Sequence, residues 1–96
     1  MKTKEFLSTS ISLVEGDRQK DYGDKLHNHT NIAKLWSAYL DTEVSAHDVA
    51  ILMALLKVAR TKLGQVSDDT YVDMSAYSAI AGEIKFRTSK KEKGNA

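Results

Sequence analysis

The sequence predicts an all-α protein, a small four-helix bundle-like domain assembled as an oligomer. Three observations point there. The 96 residues contain no Pro, where average usage of about 5% would supply several, so nothing in the chain must break a helix. Apolar residues recur at helical spacing in four segments, and no stretch of useful length alternates as a strand does. One of the four segments is apolar nearly all round, and a chain this short has little with which to surround it.

The first helix is expected from about Lys4 to Glu15. Phe6, Leu7, Ile11 and Val14 fall on one stripe there, and Gly16 stops it. The polar stretch from Gly16 to Asp24 carries two glycines and reads as a loop or broken turn. The second helix is expected to start near Asn28 to Thr30, both good N-cap types, and to reach about Leu40. Ile32, Leu35, Trp36, Tyr39 and Leu40 form its expected apolar face.

The third helix has the clearest signals. Ser45 and Asp48 stand at capping-box spacing, with Asp in place of Glu. From Val49 to Ala59 only Lys57 is polar. A helix apolar on all sides must be covered on all sides, so part of it is expected to pack against a second copy. Gly64 closes it. Ser67 or Asp68 then caps a fourth helix running to about Phe86, with Asp68 and Asp69 in the first turn, where the helix dipole favours negative charge.

Composition removes several function classes. There is no Cys, which excludes disulfides, thiol catalysis and cysteine-ligated metals. No apolar run approaches a membrane span and no signal peptide opens the chain, so a cytoplasmic location is the default expectation. Residues 1–86 carry 10 Lys and Arg against 12 Asp and Glu. Residues 87–96 carry four basic residues against Glu92. A helical domain over 1–86 and a basic, disordered tail over 87–96 are therefore expected. An acidic body argues against a nucleic-acid partner. If the tail does bind DNA, that binding should fall steeply with salt.

Charged residues on core faces carry the chemistry. Lys57 and Arg60 share a side of the third helix, three residues apart. Asp69, Asp73 and Tyr77 form one stripe on the fourth, continuous with Ile80 and Ile84. A short connection makes the two helices antiparallel neighbours, which brings these charges together. Two readings stay open. Lys57, Arg60, Asp69 and Asp73 could be an ion-pair cluster that fixes helix register. They could instead line a pocket in which Lys and Arg meet phosphate oxygens and Asp69 and Asp73 hold Mg²⁺. Arg18, Lys20 and Tyr22 in the glycine-flanked loop could reach a nucleotide placed over the helix ends. Asp48 lies on the opposite side of its helix from Lys57 and reads as a capping carboxylate. Of the three histidines, His27, His29 and His47, the first two flank Asn28 without a carboxylate at metal-ligand spacing and read as surface or capping residues. No Walker loop, dinucleotide fingerprint or nucleophile motif is present, and no catalytic residue is identified.

The segments Gly16-Asp17-Arg18…Asp21-Tyr22-Gly23, Ile32-Ala33…Leu35-Trp36-Ser37, Lys57-Val58-Ala59-Arg60 and Asp69-Thr70-Tyr71-Val72-Asp73…Tyr77 occur in that order. This resembles a small, uncharacterised bacteriophage protein family over residues 10–84. It is more distantly similar to phage nucleotide-modification-associated domains and to MazG-like all-α nucleoside-triphosphate pyrophosphohydrolases. The resemblance implies a helical oligomer in the host cytoplasm, with a nucleotide or cyclic nucleotide as ligand and Mg²⁺ as cofactor. The pyrophosphohydrolases hold Mg²⁺ through Glu-x-x-Glu on one helix and Glu-x-x-Asp on the next. Here the central helix is apolar at the matching stretch, and Asp69 and Asp73 are four residues apart. A ligand-binding protein that hydrolyses or sequesters a nucleotide is the leading expectation. A non-enzymatic interaction or host-defence-inhibiting module is the alternative.

Overall fold

The computed structural model of the chain describes residues 1–15 and 25–94, the last seven of these by backbone alone. Four helices and no strand are found among the described residues: α1 (Thr3–Glu15), α2 (Lys25–Leu40), α3 (Ala46–Lys62) and α4 (Asp68–Gly94). The α3 and α4 helices pack along each other and form the main interface. The α2 helix lies on α3 and touches α4 lightly, whereas α1 packs on α4 and on no other described helix. At about 1.5 Å per residue, the 27 residues of α4 span most of the 44 Å long axis of the molecule.

Local chemistry explains where α3 begins and ends. The Asp48 backbone N–H donates to Ser45 Oγ at 3.0 Å, and the Ser45 backbone N–H donates to Asp48 Oδ2 at 3.0 Å. This is the reciprocal capping box that the spacing predicts. Leu63 N–H donates back to the Arg60 carbonyl at 3.2 Å, and Gly64 follows with φ +74°, a value that suits glycine. At the start of α4 the Ser67 backbone N–H donates to Thr70 Oγ1 at 3.2 Å, so buried Thr70 supplies the back-reaching half of a cap.

The turn from α2 to α3 is equally specific. Asp41 holds φ +55°, and Thr42 N–H reaches the Ser37 carbonyl at 3.2 Å, the long hydrogen bond of a Schellman turn. The Ser37 hydroxyl then accepts from Val44 N–H at 2.8 Å and donates to the Val44 carbonyl at 3.1 Å. One side chain thereby clamps the whole connection.

The core is thin. Its buried apolar residues are Ala33, Val49, Ala50, Val72, Ala76, Ala81 and Ile84. Four of these are alanines, so the helices approach closely and bury little apolar area per residue.

Several sequence expectations need correction. The inner side of α1 is Ser10 with half-buried Phe6, Leu13 and Val14, while Leu7 and Ile11 face solvent. Ser10 can be buried because its hydroxyl meets both the Phe6 carbonyl at 3.0 Å and the Val72 carbonyl of α4 at 2.9 Å. An edge-on ring contact between Phe6 and Tyr71, with centroids 6.2 Å apart, supports the same seam. The α2 helix begins at Lys25, before Asn28. Its buried residues are His29 and Ala33, whereas Leu35, Tyr39 and Leu40 are exposed, Tyr39 by 90%. His29 is therefore neither a surface nor a capping residue: its Nδ1 lies 2.8 Å from the Lys25 carbonyl one turn back. The α4 backbone continues to Gly94, past the expected end at Phe86.

Candidate functional site

The residues that bring charge into the bundle sit where α3 ends and α4 begins. Lys57 is half-buried on α3 and Asp73 is half-buried on α4. Lys57 Nζ lies 3.1 Å from Asp73 Oδ2. The two side chains retain only 19% and 23% of their exposure, so the pair is largely withdrawn from water and still reachable from it. At this depth the ammonium and the carboxylate each need the other, because an unpaired charge there loses hydration without compensation.

The other predicted members stand outside the pair. Arg60 and Asp69 are exposed, and neither makes an ion pair among the described residues. Arg60 comes three residues after Lys57, and Asp69 one turn before Asp73, so both border the pair on the open side of the helix ends. Tyr77 follows Asp73 by one turn and is half-buried. Arg18, Lys20 and Tyr22 lie outside the described residues.

Chemically, this arrangement offers two cations three residues apart on one helix and two carboxylates one turn apart on the next. An anion approaching Lys57 competes with Asp73, and a cation approaching Asp73 competes with Lys57. Among the described residues no group of three His, Asp or Glu side chains could hold a metal ion. A divalent cation would draw on Asp69 and Asp73 and complete its shell from water or ligand oxygens, the usual habit of Mg²⁺.

Two charged sites lie apart from this cluster. Lys25 Nζ is 3.8 Å from Glu83 Oε2, tying the start of α2 to the middle of α4. Asp48 serves the α3 cap, as expected, and its Oδ1 is 3.9 Å from His47 Nδ1. The Ser45 backbone N–H bound to it holds the Asp48 carboxyl below the usual carboxylate range. Sequence reading missed the burial of Ser10 and His29. The signal was available for Ser10, because a hydroxyl can bond the carbonyl four residues back and so enter a core without loss.

No helix among the described residues is long and apolar enough to cross a membrane. No solved structure matches the chain. Two phage proteins do. The chain is 41% identical over 80 residues to the Gene 55 protein of Mycobacterium phage L5, covering 82% of this chain and 51% of that one. It is 38% identical over 82 residues to the Gene 55 protein of Mycobacterium phage D29, covering 85% and 54%. The chain thus spans about half the length of these curated relatives. A family profile described as "Domain of unknown function (DUF6378)" matches residues 5–85. That match takes in α1 from its third residue, all of α2 and α3, and α4 as far as Lys85, Asp73 and Tyr77 included, and the chain belongs to this family.

Proposed function

We propose that the chain binds the phosphates of a nucleotide at the α3–α4 end, with Lys57 and Arg60 as phosphate contacts and Asp69 and Asp73 as Mg²⁺ ligands. The single observation that carries this reading is the 3.1 Å contact between Lys57 and Asp73. It puts a cation and a carboxylate from different helices at one half-open place, bordered by a free-standing Arg and a second Asp. Charge-assisted contacts from Lys and Arg suit phosphate oxygens. Mg²⁺ shared between carboxylates and phosphates would neutralise the polyphosphate. The resemblance to MazG-like pyrophosphohydrolases and nucleotide-modification-associated domains adds to this reading. With two carboxylates and no identified water-activating group, sequestration of the ligand fits the residues better than hydrolysis.

A panel of deoxynucleoside triphosphates, ribonucleotides and cyclic dinucleotides with Mg²⁺ tests it. The expected result is a rise in Tm with at least one of them, reduced by Arg60→Ala. Release of pyrophosphate would separate hydrolysis from sequestration. No thermal shift and no cleavage with any ligand overturns the proposal.

One observation favours a second reading. Lys57 already has its counter-charge, so the pair can serve only to set the register of α3 against α4. The chain would then be an interaction module or an inhibitor of a host defence. In that case Lys57→Met with Asp73→Leu keeps both the fold and the partner binding.

A further inference from the structure

The α3 helix carries a second pattern, on the side away from the ion pair. Asp48, Leu52, Leu55, Ala59 and Lys62 follow one another at steps of four, three, four and three residues. That is the spacing of a coiled-coil seam. All five are exposed, and Leu55 retains 54% of its surface. The charged ends of the seam are symmetric about Leu55. Asp48 stands seven residues before it and Lys62 seven residues after it, so the ends carry opposite charges.

We infer that a second copy of this chain docks on this seam, with the two α3 helices antiparallel and Leu55 packed against Leu55 of the partner subunit on the twofold axis. The charges select the occupant and its direction. In the antiparallel arrangement each Asp48 meets the partner's Lys62, and Leu52 meets the partner's Val58 and Ala59. A parallel arrangement would set Asp48 beside Asp48 and Lys62 beside Lys62, which is repulsive at both ends. A self-complementary strip of this kind is what a twofold interface requires. Asp48 remains available, because its cap to Ser45 leaves its side chain 53% exposed. The alanine-rich core within one chain gives a physical reason for the contact, since apolar area not buried internally is left to be buried between copies. Lys57 stands two residues, about 200°, from Leu55 around the helix. Each copy therefore keeps its own Lys57–Asp73 pair, clear of the interface.

Light scattering on the full chain, combined with three variants, tests the inference. At about 100 μM the wild type is expected at twice the chain mass, with a dissociation constant below that concentration. Leu55→Glu should raise that constant at least about 100-fold with unchanged helix content, because both copies lose the central apolar contact. The chain has no Cys, so single cysteines report direction without interference. Leu55→Cys should oxidise to a covalent dimer, and Lys62→Cys should not, because antiparallel helices hold the two positions 62 far apart. A monomeric wild type overturns the inference. So does a Leu55→Glu variant that is still dimeric, or efficient self-crosslinking of Lys62→Cys. The cysteine pair decides the matter even if Leu55→Glu fails to fold.

Discussion

The inner side of α3 contains a lysine, and its outer side contains leucines. Most surface helices are divided the other way, with apolar residues inward and charges outward. Inward, fully buried Val49 and Ala50 sit with Lys57, whose charge is met by Asp73. Outward, Leu52, Leu55 and Leu56 meet water. The inner charge is tolerated because its partner arrives from α4 at the right depth. The outer leucines have no such compensation within one chain. A helix so arranged is being held in place by a polar contact on one side and leaves its apolar area for another surface on the other.

The inner side should respond most strongly to mutation. Asp73→Leu leaves Lys57 facing an apolar side chain, and unfolding should become easier by about 3 kcal/mol. That corresponds to a fall in Tm of roughly 10 °C or more for a domain of this size. Adding Lys57→Met should recover most of the loss, to within about 1 kcal/mol of wild type, because the pair is replaced by apolar packing. A thermal double-mutant cycle measures both numbers. If the two losses simply add, the residues do not form one interaction.

Packing on the same side gives the next effect. Val49→Ala removes two buried methyl groups and should cost about 2 kcal/mol in denaturant unfolding. Leu63→Ala, just past the end of α3 and 74% exposed, should stay within about 0.5 kcal/mol. Similar losses for both would mean that α3 is rotated from the setting described above.

The cap of α3 gives a smaller effect with a pH signature. Ser45→Ala should cost about 1 kcal/mol, since the Asp48 backbone N–H loses its Oγ acceptor while the backbone N–H of residue 45 keeps its bond to Asp48. The Asp48 carboxyl titrates below its ordinary value. Its contribution is thus fully present above the ordinary carboxylate range and is lost as the pH falls through its depressed folded value. The stability difference between wild type and Asp48→Ala, followed by urea unfolding from pH 7 downward, should hold steady to about pH 4 and then shrink. A difference that grows in acid contradicts the cap.

What the sequence revealed follows from which forces act locally. Ser45, Asp48 and Gly64 determine the ends of α3 through bonds to their own near neighbours, so they were legible without a structure. Lys57 and Asp73 were legible because a charge within an apolar helix needs a partner, and a five-residue connection leaves little choice of where to find one. The faces of α1 and α2 were not. Their large apolar residues Leu7, Ile11, Leu35 and Tyr39 formed tidy stripes, yet the helices close on Ser10, His29 and Ala33. Small or self-satisfied side chains allow close helix approach, and neither periodicity nor hydrophobicity ranks them as core. The start of α2 was misplaced because Asn28 and Thr30, both good N-cap types, lie inside the helix rather than at its end. Arg60 and Asp69 were expected to join Lys57 and Asp73, but a shared side of a helix spans a wide arc, and these two fall on its open margin.

The smallest effect concerns the turn that fixes which side of α3 goes inward. Asp41 adopts a positive φ that an L-residue with a Cβ occupies at a cost of about 1 kcal/mol, less for Asp and Asn than for most. Glycine occupies it freely but loses more chain entropy on folding. Asp41→Gly should therefore stabilise the domain by only about 0.5 kcal/mol, a rise in Tm of a few degrees. Asp41→Val should destabilise it, because a β-branched residue is strained at that φ. Ser37→Ala in the same turn removes the hydroxyl that bonds both polar groups of Val44, and should cost about 1 kcal/mol or more. If Asp41→Gly lowered Tm instead, the left-handed residue would not be what orients α3. The Ser37 clamp would then be the only device in this connection that holds its lysine inward and its leucines out.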